Sequence, residues 1–215
     1  VDLLKDDVEI FKVGSQIFTV CGPEIVRYLL GIKREVFLDL KFHDIPNTVA
    51  NAVSSAVNLG QNGQGLFMFT LHTVGGREML QRAVEAATKT AQNIGVTRPL
   101  LVGITVLTSD TKRDSINDIV LERSRLAQEC GLDGVVASSQ EVASIREAMG
   151  KDFLIVTPGI RPGGADLGDQ KRVATPLEAT RKGSNVLVVG RPIVKAEDPV
   201  LAARAILEDI KKGKQ

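Results

Sequence analysis

The chain has 215 residues, of which 43% are hydrophobic and 25% charged. This length is enough for one sizeable hydrophobic core but short for two separate domains, so we expect a single domain over residues 1–215. Its 27 Lys and Arg residues nearly balance 26 Asp and Glu residues, which gives no overall charge that would favour nucleic acid or an anionic membrane as a partner. Two cysteines are too few for a disulfide framework or a cysteine metal site, and no apolar run approaches the roughly 18 residues that span a bilayer, so we expect a cytoplasmic protein.

Seven short apolar runs recur along the chain, and each precedes a segment with helical periodicity. This alternation predicts an α/β fold in which parallel strands are covered by helices. The runs are 10–14, 36–41, 66–72, 100–107, 134–138, 153–158 and 186–190. The closed form of this pattern is the (βα)8 TIM barrel, so we expect its first strand to be absent from this chain; a doubly wound open sheet is the alternative.

The first two predicted strands carry charged residues close to their ends. Lys12 lies in the first strand, while Asp39 and Lys41 lie in the second, where the strand period of two places them on one face about 7 Å apart. Asp44 follows in the next loop. Carboxylates and ammonium groups that alternate in this way keep each other ionised despite burial. They also lie at the strand ends, where barrel enzymes carry their catalytic residues. A catalytic cluster is therefore predicted, and a purely structural ion pair is the alternative.

The two histidines, His43 and His72, follow the second strand and end the third. Neither has a second histidine or a carboxylate at a metal-ligand spacing in the sequence, so no metal site is predicted. His43 is a minor candidate for direct chemistry, and His72 is expected to hydrogen-bond the backbone.

Glycine and arginine follow the last two strands, where barrel enzymes commonly bind phosphate. After the seventh strand, Gly190 offers a backbone amide to a phosphate, and Arg191 can form a paired, charge-assisted contact with it. A surface ion pair is the alternative for this arginine. After the sixth strand, the glycine-rich stretch 159–170 is long enough for a mobile lid, with Arg161 and Gln170 available to contact a ligand.

The last two helices have explicit start signals. Thr175, Pro176 and Glu178 form a predicted capping box with proline at the first helical position, and Gly183 is placed to end that helix. Asp198 before a proline predicts a second helix start of the same kind.

The segment 37–48, which reads Phe-Leu-Asp-Leu-Lys-Phe-His-Asp-Ile-Pro-Asn-Thr, resembles the signature of the orotidine 5'-phosphate decarboxylase family. Further segments agree in order, and together they span nearly the whole chain: 12–14, 106–109, 131–136, 157–161, 168–170 and 189–191. The resemblance is to bacterial-type members. It implies a homodimeric barrel with shared active sites that decarboxylates orotidine 5'-phosphate to UMP without a cofactor or metal, the last step of de novo UMP biosynthesis.

The resemblance also implies a charged catalytic tetrad, which consists of Lys12, Asp39, Lys41 and Asp44. Lys41 would be the proton donor. Asp44, Ile45 and Thr48 would reach into the neighbouring subunit's site.

Five further residues would bind the substrate according to the same resemblance. Thr108 would hydrogen-bond the pyrimidine, and Gln170 would bridge base and phosphate from the lid, with Arg161 at the lid's root. Gly190 and Arg191 would hold the phosphate.

Two departures from the family pattern concern the start of the chain and one loop. An aspartate that the family carries at the end of its first strand, where it contacts ribose, falls before Val1, and the loop 61–65 is longer than expected.

The nearest alternative is a metal-dependent sugar-phosphate decarboxylase or lyase of the same suprafamily, in which an acidic residue at the Lys12 position helps to hold magnesium. An ammonium group would repel that cation. A non-catalytic phosphate-ligand binder is a third reading, disfavoured by the intact tetrad.

Overall fold

A computed structural model describes residues 1–107, 115–163 and 172–214. Thr108 and Gln170 lie outside the described residues. The chain divides into two compact units: the first unit comprises Glu9–Ile104 and Leu126–Asp133, and the second comprises Val1–Val8, Thr105–Arg125 and Gly134–Gln215. The expectation of a single domain stays a prediction.

The first unit contains four parallel strands that pair in chain order. Its elements are β1 (Ile10–Gly14), α1 (Ser15–Cys21), α2 (Glu24–Gly31), β2 (Glu35–Phe42), α3 (Pro46–Val57), β3 (Met68–His72), a 3-10 turn (Thr73–Gly75), α4 (Gly76–Ile94) and β4 (Leu100–Ile104). The centres of β2, β3 and β4 are rich in Val, Leu and Phe and are buried, as expected for parallel strands covered by helices, whereas β1 buries only Val13.

Helices α3 and α4 pack against each other through faces that their sequences define. In α3 the buried residues recur every three or four positions, at Val49, Val53, Ala56 and Val57. The buried face of α4 is formed by Met79, Leu80, Ala83, Ala87 and Ala91. A hydrogen bond of 3.1 Å from Thr90 Oγ1 to Ser54 Oγ joins the two helices.

The second unit contains three parallel strands that also pair in chain order. Its elements, together with the helix that precedes them, are α5 (Ile116–Glu129), β5 (Gly134–Val136), α6 (Val142–Met149), β6 (Leu154–Thr157), α7 (Pro176–Arg181), β7 (Val186–Leu187), α8 (Arg191–Val194) and α9 (Pro199–Gly213). All seven predicted strands are therefore confirmed in position, although several end earlier than their apolar runs.

The predicted helix starts are confirmed as well. Thr175 Oγ1 accepts a hydrogen bond from the Glu178 amide at 3.2 Å, and the Glu178 carboxylate accepts one from the Thr175 amide at 3.0 Å. Gly183 adopts a φ of 103° just after α7, a conformation that favours glycine. The Asp198 carboxylate accepts a hydrogen bond from the Leu201 amide at 2.9 Å.

A buried ion pair joins Arg172 to Glu141, the residue before α6. Their side chains are only 5% and 6% exposed. Burial raises the pKa of Glu141, and the charge of Arg172 offsets only part of that effect. Among the described residues, Glu141 Oε2 and two guanidinium nitrogens of Arg172 have no hydrogen-bond partner, so this pair is costly to bury.

None of the helices among the described residues combines the length and the apolar character needed to cross a bilayer.

Candidate active site

Three of the predicted tetrad residues meet at one carboxylate in the first unit. Lys12 Nζ lies 3.2 Å from Asp39 Oδ2, and Lys41 Nζ lies 2.8 Å from Asp39 Oδ1. The parallel register of β1 and β2, which sets Gly14 opposite Asp39, brings the two lysines to this point. We call Lys12, Asp39 and Lys41 the charged cluster.

The charged cluster holds Asp39 as an anion. Its side chain is 13% exposed, whereas the lysine side chains are 35% and 36% exposed. Burial alone would raise the pKa of Asp39, but the hydrogen bond from Lys41 and the charges of both lysines outweigh burial and lower the pKa below its ordinary value of 3.8. The cluster thus carries more ammonium than carboxylate charge and suits an anionic ligand.

Strand β2 is distorted where it carries this chemistry. Leu38 pairs with Phe69, yet Phe42 pairs with Leu71. Between these two pairs β2 therefore advances by four residues while β3 advances by only two. Lys41 has a φ of 54°, in the left-handed region that costs a non-glycine residue about 1–3 kcal/mol. The expectation of a regular strand between Asp39 and Lys41 is therefore wrong, because a bulge interrupts the ladder there.

Thr70 of β3 forms hydrogen bonds with both Asp39 and Lys41, the two charged residues at the bulge. Its side-chain oxygen accepts a hydrogen bond from the Lys41 amide at 2.8 Å and donates one to Asp39 Oδ1 at 3.1 Å. Thr70 was not among the residues predicted to form the site. The signal that could have found it is a hydroxyl in the apolar run 66–71, where no polar side chain is needed for packing.

Gly14, at the end of β1, gives the Lys12 ammonium room. A Cβ at this position would lie 2.9 Å from Lys12 Nζ. The backbone of Gly14, with a φ of −94°, is accessible to any residue, so space rather than conformation favours glycine here.

The fourth tetrad residue, Asp44, lies apart from the charged cluster. Its Oδ1 accepts a hydrogen bond from the Ile45 amide at 2.7 Å, at the start of α3. Asp44, Ile45 and Thr48 are all exposed, and Ile45 is 66% exposed despite its apolar side chain. Within residues 1–107, 115–163 and 172–214, no hydrogen bond or ion pair connects Asp44 with the charged cluster.

The two histidines lie side by side. The ring centroids of His43 and His72 are 5.6 Å apart, with the rings tilted by 51°. Sequence spacing could not show this contact because the residues follow different strands. The described part of the chain contains no group of three or more His, Cys, Asp or Glu residues that could hold a metal ion.

The predicted phosphate-binding residues belong to the second unit. Gly190 precedes α8, and its carbonyl accepts hydrogen bonds from the amides of Ile193 and Val194 at 2.9 and 3.0 Å. Arg191 begins α8 and is exposed. Arg161 is buried, with 7% exposure; its guanidinium donates to the Ile160 carbonyl at 2.8 Å, and its amide donates to the Ala174 carbonyl at 2.9 Å.

Comparison with known proteins gives consistent matches over most of the chain. Residues 1–206 match the model of the family described as Orotidine 5'-phosphate decarboxylase / HUMPS family. Orotidine 5'-phosphate decarboxylase of Geobacter sulfurreducens is 49% identical over 220 residues, which cover 99% of this chain and 89% of that protein.

Solved structures agree with these matches. The crystal structure of orotidine 5'-phosphate decarboxylase from Lactobacillus acidophilus is 35% identical, with a TM-score of 0.77, and the match covers 93% of this chain and 85% of that one. The enzyme of the same name from Pyrococcus horikoshii is 24% identical with a TM-score of 0.76, over 97% of this chain and 89% of that one, and supports the fold alone. The predicted α/β fold of the (βα)8-barrel class is confirmed.

Proposed function

The chain belongs to the orotidine 5'-phosphate decarboxylase / HUMPS family, and from this membership we propose that it converts orotidine 5'-phosphate to UMP, the last step of de novo UMP biosynthesis, without a cofactor. The observation that carries the proposal is that two lysine ammonium groups contact one partly buried carboxylate. The metal-dependent sugar-phosphate lyase is not favoured, because the Lys12 ammonium would repel a divalent cation at this point.

The proposed chemistry needs a fixed cation beside the reacting carbon. When the bond from C6 to the carboxylate breaks, carbon dioxide leaves and the electron pair remains on C6, in the plane of the ring, where the pyrimidine π-system cannot delocalise it. An ammonium at Lys41 would stabilise this charge and then transfer a proton from Nζ to C6. Asp39 supports this role because its Oδ1 lies 2.8 Å from Lys41 Nζ and fixes the position of the ammonium.

We also propose that the enzyme is a homodimer with shared active sites. Asp44 lies outside the charged cluster of its own chain, and Ile45 beside it is an exposed apolar side chain at the start of α3. Both features are consistent with a segment, including Thr48, that completes the neighbouring subunit's site. In that site Asp44 would face the Lys12 and Lys41 ammonium groups of its partner.

The remaining substrate contacts are proposals that follow from family membership. Thr108 would bind the pyrimidine, Gln170 would bridge base and phosphate, and Arg161 would support the segment that carries Gln170. Gly190 and Arg191 would bind the phosphate, consistent with the exposure of Arg191. We place the enzyme in the cytoplasm, a reducing compartment that suits its free cysteines.

The direct test follows the loss of orotidine 5'-phosphate by its ultraviolet absorbance in the presence of excess chelator. Undiminished turnover is expected. Turnover that chelator abolishes and magnesium restores would instead identify a metal-dependent lyase, and tight nucleotide binding without turnover would identify a non-catalytic binder.

Replacement of Lys41 by alanine tests the proposed proton donor. We expect kcat to fall by at least about 10³-fold, because the variant loses both the cation and the proton, while the Kd for UMP changes by less than about tenfold. The matched control is Lys211→Ala, which removes a lysine from a surface pair with Glu208 and should leave kcat unchanged. Near-normal turnover in Lys41→Ala would contradict the assignment.

A further inference from the structure

A buried hydroxyl lies beside the charged cluster. Thr70 is 0% exposed, as are its neighbours Phe69 and Leu71 in β3. Packing alone would favour another aliphatic side chain at this position, since a buried hydroxyl must find hydrogen-bond partners. Thr70 finds them in Lys41 and Asp39, two members of the cluster.

The first of these hydrogen bonds holds the backbone of the bulge. The Lys41 amide donates to Thr70 Oγ1 at 2.8 Å, at the point where β2 and β3 are out of register. In a regular ladder a strand carbonyl would accept from such an amide. The Thr70 oxygen takes that place, and Lys41 keeps a φ of 54° rather than extended geometry.

The second hydrogen bond holds the carboxylate that binds the ammonium. Thr70 Oγ1 donates to Asp39 Oδ1 at 3.1 Å, and this same oxygen accepts from Lys41 Nζ at 2.8 Å. One hydroxyl therefore fixes the backbone end of Lys41 directly and its ammonium end through Asp39.

We propose that Thr70 is a positioning residue for the proposed decarboxylation: its hydroxyl holds Lys41 in the strained conformation that sets the ammonium at the reacting carbon. This inference rests on the proposed function. Without the hydroxyl, the Lys41 amide loses its acceptor and the backbone can relax towards extended geometry. The ammonium then moves relative to a bound substrate, and small displacements of a reacting group cost large factors in rate.

The test compares Thr70→Val with Thr70→Ser. Valine keeps the shape and removes the hydroxyl, whereas serine keeps the hydroxyl. We expect Thr70→Val to lower kcat by about 10- to 100-fold with KM within about threefold of wild type, and Thr70→Ser to stay within about threefold in both. The matched control is Thr73→Val, because Thr73 is 1% exposed and its hydroxyl donates to the Ile104 carbonyl at 2.8 Å, which is not part of the charged cluster; the kcat of this variant should not change.

A purely structural role would lower the melting temperature and the activity of Thr70→Val and Thr73→Val in parallel, and this outcome would overturn the proposal, as would unchanged kcat in Thr70→Val. If Thr70→Val does not fold, Thr70→Ala and Thr70→Ser form the second pair, since both lack the methyl group and differ in the hydroxyl. Equal kcat in that pair would also overturn the proposal.

A crystal structure of Thr70→Val separates this inference from the proposed function. It should show Lys41 outside the left-handed region and its Nζ further from Asp39 Oδ1, whatever reaction the enzyme catalyses. Wild-type protein that fails to decarboxylate orotidine 5'-phosphate would refute the function alone. Unchanged Lys41 geometry in the variant would refute the role of Thr70 alone.

Discussion

Asp39 is the residue on which the charged cluster depends, because it accepts from Lys12, Lys41 and Thr70 at once. Asp39 could be predicted as a site residue from the sequence, because a carboxylate is unusual within an apolar strand. The hydroxyl of Thr70 was a weaker signal, because threonine is common in strands and only the register of β2 and β3 shows what it faces.

The lowered pKa of Asp39 makes a prediction about stability. The carboxylate stabilises the folded state fully at pH values above its unfolded pKa near 3.8, and this contribution is lost as the pH falls through the lower folded value. We expect Asp39→Asn to reduce the free energy of unfolding by about 1–2 kcal/mol at pH 7, since the lysines are partly exposed and solvent screens their charge.

Urea unfolding of wild type and Asp39→Asn between pH 3 and 7 checks this expectation. The difference between them should narrow below pH 3.8. Asp209→Asn, which removes the partner of Lys212 in a surface pair on α9, serves as control and should differ from wild type by less than about 0.5 kcal/mol throughout. A difference for Asp39→Asn that is independent of pH would contradict the role of its charge.

At the scale of elements, the strands and helix starts could be predicted and the bulge could not. Apolar runs locate strands because burial of the strand centre is a local property of the sequence, and the capping box at Thr175 is equally local. The shift between Leu38 and Phe42 depends on the pairing partner and appears in no periodicity of β2 itself. The contact between His43 and His72 could not be predicted for the same reason.

The buried pair of Arg172 and Glu141, which connects the start of α6 with the segment before α7, makes a second prediction about stability. Loss of one partner leaves the other charge buried without compensation, so Arg172→Met or Glu141→Leu alone should lower the free energy of unfolding by about 3–5 kcal/mol. The double variant should lose much less than the sum, because no buried charge remains. Chemical denaturation of the four proteins gives the coupling energy, and additive losses would show that the pair is not coupled.

At the scale of the whole molecule, the proposed homodimer with shared active sites predicts that two inactive variants can complement each other. In a mixture of Lys41→Ala and Asp44→Asn, half of the randomly formed dimers are mixed and each has one intact site. About a quarter of the wild-type activity should therefore return. The measurement is turnover after the subunits have been dissociated and reassociated together.

A matched mixture controls for non-specific recovery. Lys12 and Lys41 contact the same carboxylate within one chain, so Lys12→Ala and Lys41→Ala can form no intact site in any combination. This mixture should stay inactive. Recovery in both mixtures, or in neither, would argue against a site that takes Asp44 from the other subunit.

Substitution of Gly14 could move an ammonium group of the charged cluster without removing a charge, which no neutral substitution of the charged residues themselves can do. Each substitution of Lys12, Asp39 or Lys41 changes the electrostatics together with the geometry. A methyl group at position 14 would instead push against Lys12 Nζ, at a backbone conformation that alanine can adopt, and would leave the number of charges unchanged. A single uncharged substitution at position 14 can therefore change the placement of one cation of the cluster without removing any charge.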